Sequence, residues 1–138
     1  MLNTTLNLPL HHIGVACKNL EKERECFFKL GFYKESEFID EKQGVRGEFI
    51  IPCNEAFPQY RFELLQNLND KGPLDSYLKN NTKMYHLAYE SKNIAQDLIL
   101  LEQQGGICIV PIMQASYFAK LCFIMMPNRL LIELVELK

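Results

Sequence analysis

The stretch Tyr60-Arg61-Phe62-Glu63-Leu64-Leu65 sets a carboxylate inside a run that otherwise asks to be buried. An ionised acid inside a sheet is costly unless a cation or metal meets it. Three other apolar stretches carry the same anomaly: His12 in His-Ile-Gly-Val-Ala, His86 in Tyr-His-Leu-Ala-Tyr and Glu133 in Leu-Leu-Ile-Glu-Leu-Val. Two imidazoles and two carboxylates on four strand-like segments are donors for a divalent metal, with water or substrate in the remaining positions. Such mixed nitrogen and oxygen ligation suits zinc, manganese, cobalt or nickel without choosing among them. The rival reading is four unrelated polar residues on edge strands.

A metal held this way would polarise a carbonyl and stabilise the enolate left when the adjacent carbon loses its proton. One carboxylate base removing that proton and a second returning it from the opposite side would invert a stereocentre, or shift hydrogen between neighbouring carbons. Glu48 is the best base outside the ligand set. On a strand over 44–51 it shares a face with Arg46 and Ile50, and the competing reading is a structural or surface charge. Glu133 could oppose it if its metal bond is labile. His11, adjacent to His12, points to the other side of the strand and reads as structural or solvent-facing. Arg46, Arg61, Lys120 and Arg129 could each meet an anionic substrate, although each taken alone reads better as a solvated cation.

The elements that position these residues repeat. His12 heads a strand over 10–17, Asn19 is placed to cap a helix carrying Leu20, Phe27 and Leu30 on one stripe, and Gly31 ends it. His86, Asn93 and Gly105 repeat the plan, with Ile94, Leu98 and Leu101 facing inward. The intervals agree: each asparagine stands 7 residues and each glycine 19 residues after its histidine. Glu63 follows His12 by 51 residues and Glu133 follows His86 by 47, a difference that a connecting loop absorbs. Strands over 32–38, 44–51 and 59–65 complete the first module, and strands over 108–112, 120–126 and 130–136 the second. Between them, Gly72-Pro73 introduces a short helix over 74–78. Residues 10–68 and 84–138 thus read as two related modules joined by 69–83 within one domain, and 114–117 as the loop best placed to approach a ligand.

Composition is compatible with this reading and excludes others. The 138 residues, 48% hydrophobic and 23% charged, suit one compact soluble fold. A formal charge of −2 gives no global field for nucleic acid. Residues 1–9 lack the basic end and continuous apolar segment of a secretory signal, and no window reaches the length of a membrane span. The five cysteines, odd in number and without close pairing, point to reduced thiols in the cytoplasm, most of them as small core residues.

At His12-Ile13-Gly14-Val15-Ala16, Leu30-Gly31-Phe32-Tyr33, Glu63-Leu64-Leu65, His86-Leu87-Ala88-Tyr89 and Ile132-Glu133-Leu134-Val135 the chain resembles the vicinal oxygen chelate superfamily, over roughly 10–137. That superfamily includes glyoxalase I, methylmalonyl-CoA epimerase, extradiol dioxygenases and bleomycin-resistance proteins. The resemblance implies an α+β fold of paired βαβββ modules forming a curved mixed sheet around a metal and ligand cavity. Glu63-Leu64-Leu65-Gln66, Gly72 to Leu78 and His86 to Glu90 look most like methylmalonyl-CoA epimerase. In that family the positions of His12, Glu63, His86 and Glu133 bind the metal. The opposed bases are the last ligand glutamate and a glutamate on the middle strand of the first module. Glu48 lies near the latter, and a one-residue slip against Gly47 would turn it away. Tyr85 replaces a frequent histidine, and the approach to the last two strands, Ala115 to Ala119, lacks its glycines.

The expectation is therefore a divalent-metal-dependent epimerase or isomerase acting beside a thioester or carbonyl. Its partner is a small molecule, an acyl-CoA or glutathione thioester, with no nucleic acid or membrane partner, and the family implies a homodimer. The alternatives are a glyoxalase I-like isomerase or lyase and a non-catalytic binder of the drug-resistance kind. An extradiol oxygenase fits less well, since such iron sites use two histidines and one carboxylate.

Overall fold

The computed structural model describes residues 5–138; the first four residues of the stretch read above as lacking a signal lie outside them. The chain divides into two compact units, one over His12–Tyr85 and the other over His86–Lys138 with the residues up to His11. They are called the first and second halves, and a strand that crosses a boundary is named with the half that holds most of it.

In the first half, β1 (Leu10–Ala16) leads to α1 (Leu20–Lys29), then β2 (Phe32–Asp40), β3 (Val45–Pro52) and β4 (Phe62–Asn67). The strands lie in the order β2-β3-β4-β1, antiparallel except for β1 beside β4. Helix α1 starts where expected because the Asn19 side chain accepts from the Lys22 N–H, and Glu21 and Glu23 sit at the positive end of its dipole. It stops at Gly31, whose φ of +92° is closed to most side chains. Leu20 is fully buried against Val15, Ile50 and Leu64. Leu30 departs from the expected stripe: it caps the helix end and is 74% exposed.

The connection carries α2 (Asp75–Lys79), which packs Leu74 against Ala16, Val45 and Leu65. Asn67 fixes its start by accepting from the Leu74 N–H at 3.1 Å and donating to Asp75 at 2.8 Å.

The second half repeats the first as β5 (Met84–Glu90), α3 (Ile94–Gln103), β6 (Ile107–Gln114), β7 (Lys120–Met125) and β8 (Leu131–Glu136), in the order β5-β8-β7-β6. Asn93 caps α3 through the Gln96 N–H and Gly105 takes φ +95°, so both punctuation marks of the repeat are realised. Ile94 and Leu101 are buried on Cys122, Ile124, Ile132 and Leu134, with Leu98 at the margin. Strand β6 is outermost in its half, shifts register twice against β7, carries Pro111 and leaves Ile107 and Ile109 exposed. His11 is structural but not solvent-facing: it is buried, with its ring edge-on to Phe118. Cys17 and Cys122 are core residues, whereas Cys26 and Cys53 are exposed, so the expected burial holds for only part of the set. Among the described residues no helix is long and apolar enough to cross a membrane.

Candidate metal centre

In each half the two candidate ligand residues stand on adjacent parallel strands. On β1 and β4, Gly14 pairs with Glu63, so His12, Gly14 and Glu63 share a sheet face. Helix α1 covers the opposite face, formed by Val15, Phe62 and Leu64. His12 Nε2 lies 3.2 Å from Glu63 Oε1, and both side chains are buried. The second half reproduces this relation. Ala88 pairs with Glu133, and His86 Nε2 lies 3.1 Å from Glu133 Oε1, again with both buried. The residue beside each glutamate, two after each histidine, is small, which leaves room over both carboxylates.

These separations fit metal ligation. Donors about 2.1 Å from one ion stand about 3.0 Å apart at adjacent octahedral positions and about 3.4 Å apart at tetrahedral ones. The two observed distances fall between these values. Each of the four residues offers one ligand atom, an imidazole nitrogen or a carboxylate oxygen. The chain therefore carries a buried donor set of the kind that holds a divalent metal.

Sequence reading missed one part of the arrangement. Phe49 pairs with Glu63 and sets its ring 5.2 Å from that of His12, while Phe123 pairs with Glu133 and sits 5.3 Å from His86. Each aromatic ring packs across the imidazole beside it. The signal was present: Phe49 and Phe123 each begin a Phe-Ile pair and each follow their histidine by 37 residues.

Glu48 requires a correction. It pairs with Leu64, so its side chain lies on the α1 face, opposite to Glu63. There the carboxylate is buried, takes two hydrogen bonds from Arg24 of α1, one of 2.8 Å from Nε, and has Lys34 Nζ at 3.6 Å. The hydrogen bonds from Arg24 to Glu48 hold the guanidinium pKa above its ordinary value. Glu48 is thus a structural charge fastening α1 to the sheet, and the residue on the Glu63 face is Gly47. A Cβ at Gly47 would lie 2.5 Å from the Phe38 ring, so Phe38 occupies the space a side chain there would need. Asp40, the other acid on this face, accepts from both the backbone and the side chain of Gln43 in the β2–β3 turn. Of the four cations weighed against a solvated role, Arg46 is held by Glu21 at 2.7 Å and Arg61 by Glu35 at 2.7 Å. Lys120 is exposed at the start of β7, and Arg129 takes a left-handed φ of +73° in the β7–β8 turn.

Two βαβββ halves, each with a buried histidine–glutamate pair on neighbouring strands, define a protein of the paired-module metal-chelating class. The sequence profile of the Glyoxalase/Bleomycin resistance protein/Dioxygenase superfamily matches residues 11–124, and the chain belongs to that superfamily. The fold is similar to that of methylmalonyl-CoA epimerase from Mycobacterium tuberculosis, with 24% identity, 100% of this chain and 93% of that one covered, and a TM-score of 0.80. Hypothetical protein BH1468 from Bacillus halodurans C-125 gives 20% identity, 94% coverage of both chains and a TM-score of 0.79. A single-residue variant of Streptomyces coelicolor methylmalonyl-CoA epimerase, in complex with 2-nitronate-propionyl-CoA, gives 21% identity, 95% and 99% coverage and a TM-score of 0.77. A search of curated protein sequences finds no match.

Proposed function

We propose that His12, Glu63, His86 and Glu133 hold one divalent cation and that the protein is a metal-dependent isomerase moving a proton on a carbon next to a carbonyl. The observation that carries this reading is the duplicated buried imidazole–carboxylate pair, each pair with a donor separation suited to ligating one ion. Bound there, a cation would supply the Lewis acidity that polarises a carbonyl and makes the neighbouring C–H acidic. Phe49 and Phe123 orient the imidazoles, and the burial of all four ligands keeps bulk water from competing for them. Glu133 is the proposed base, holding the abstracted proton on a carboxylate oxygen. Cobalt, manganese, nickel and zinc are the candidate ions.

An acyl thioester such as methylmalonyl-CoA is the first substrate to test, supported by the family and by the folds it resembles. A second reading, the glyoxalase I-like shift of a proton between adjacent carbons, is favoured by Gly47. Inverting a stereocentre calls for a base on each side, whereas a shift between neighbouring carbons needs only one. With Glu48 turned to α1 and Phe38 over Gly47, the first half offers no second base at that position.

Metal-loaded protein incubated in deuterated water with methylmalonyl-CoA, and separately with the hemithioacetal of methylglyoxal and glutathione, tests both readings. Deuterium is expected at the carbon beside the carbonyl of one of them. Glu133→Gln and His86→Ala are expected to slow incorporation by about 10²–10⁴-fold. Tight binding of small molecules without metal uptake or exchange would instead mark a non-catalytic binder.

A further inference from the structure

A groove of about 400 Å³ lies in the first half between the start of α1 and the segment after α2. Its floor is apolar, made by Ala16, Tyr77 and Leu78, and its rim carries Lys18, Lys22 and Lys83. Only one acid, Glu23, lines it, and that carboxylate is taken by Lys83 at 2.5 Å. Lys18 and Lys22 make no ion pair among the described residues and are exposed, so the rim keeps two uncompensated positive charges in a chain of net charge −2. Asn81 and Thr82 add neutral donors. The wall that carries them is fixed: the Thr82 N–H donates to Tyr77 O at 2.8 Å, and the Ala16 N–H donates to Lys83 O at 2.8 Å. Tyr77 stacks on Tyr85 with ring centroids 4.4 Å apart, which immobilises the floor.

We propose that this groove binds an organic phosphate ester, its phosphate between Lys18 and Lys22 and its apolar or aromatic body on Tyr77 and Leu78. Two ammonium groups balance a phosphomonoester dianion, and the volume lies in the range of small-molecule sites. The groove begins at Ala16, which shares a sheet face with His12 four residues earlier on β1, a run of about 13 Å. One source of such a phosphate is the tail of an extended substrate, which must pass the Leu74 side chain packed on Ala16 to run from His12 to the groove. A separate phosphorylated effector would satisfy the same chemistry. The tail version rests on the function proposed above, and the phosphate site itself does not.

Titration of ¹⁵N-labelled full-length protein with adenosine 3′,5′-bisphosphate tests the site. Saturable shifts are expected at amides of 18–22 and 77–83, absent with adenosine and weakened at least about tenfold in Lys18→Glu/Lys22→Glu. The same variant should keep the wild-type melting temperature, since neither lysine is paired. No saturable shift, or equal binding by the variant, overturns the proposal. An acyl-CoA that produces these shifts together with shifts around His12 identifies a substrate tail. Bisphosphate binding without acyl-CoA binding identifies an effector. Failure of every thioester to exchange its proton in metal-loaded protein would count against the isomerase reading and leave the bisphosphate result standing.

Discussion

Glu48 and Gly47 differ by one position in sequence and by a whole sheet face in space. The carboxylate that resembled a base is engaged by Arg24, whereas the neighbouring glycine faces the side of Glu63. Glu48→Gln removes a charge-assisted pair from a buried setting and is expected to cost about 1–3 kcal/mol in urea unfolding. Metal stoichiometry, measured by elemental analysis, should not change. A catalytic Glu48 would show the opposite pattern, with intact stability and lost exchange. Cys17 gives a second prediction at this scale. Burial, reinforced by Glu23, pushes its thiol from 9.0 to about 12. Between those values the unfolded chain has released the proton while the native protein retains it, so this thiol's contribution to stability falls as pH rises. The slope attributable to it approaches about 1.4 kcal/mol per pH unit. Unfolding measured from pH 9 to 10.5 should steepen in the wild type relative to Cys17→Ala.

Elements show why some of this was legible and some was not. The asparagine caps and the left-handed glycines could be read directly because a helix end must satisfy its own backbone groups, whatever packs around it. The inward side of β3 could not be read in the same way. Its residues at 47–52 are buried on both faces, so alternation of polarity carries no register there. Strand β2 shifts register between Lys34 and Ser36, which breaks the period-two argument from one end of that strand to the other. Spacing alone turns Leu30 inward, but the helix has already ended when the chain reaches it. The contact between Phe38 and Gly47 gives the prediction for this scale. Gly47→Ala should destabilise by about 1–3 kcal/mol because the ring must move. The cost should shrink in a Phe38→Leu background, an interaction that a double-mutant cycle measures directly.

At the level of the whole molecule, the four buried donor residues were legible because histidine and glutamate are costly in apolar strands and recur at matched intervals. The substrate was not, since selectivity lies in side chains with no periodic signature. Metal linkage tests the proposed centre without reference to any substrate. A cation bound at one hundred times its dissociation constant stabilises by about 2.7 kcal/mol, which for a chain of this size raises the melting temperature by about 8 °C. That rise should follow added zinc, cobalt, nickel or manganese, reverse with chelator and disappear in His12→Ala.

The margin formed by β6 has a separate consequence. A border strand with bare isoleucines is an invitation for a misfolded neighbour to add on in cross-β fashion, yet proline has no amide hydrogen to give and two register breaks distort the ladder it would need. Replacing Pro111 with a β-branched residue would therefore leave the native molecule largely as it is while making its concentrated solutions markedly more prone to fibril growth.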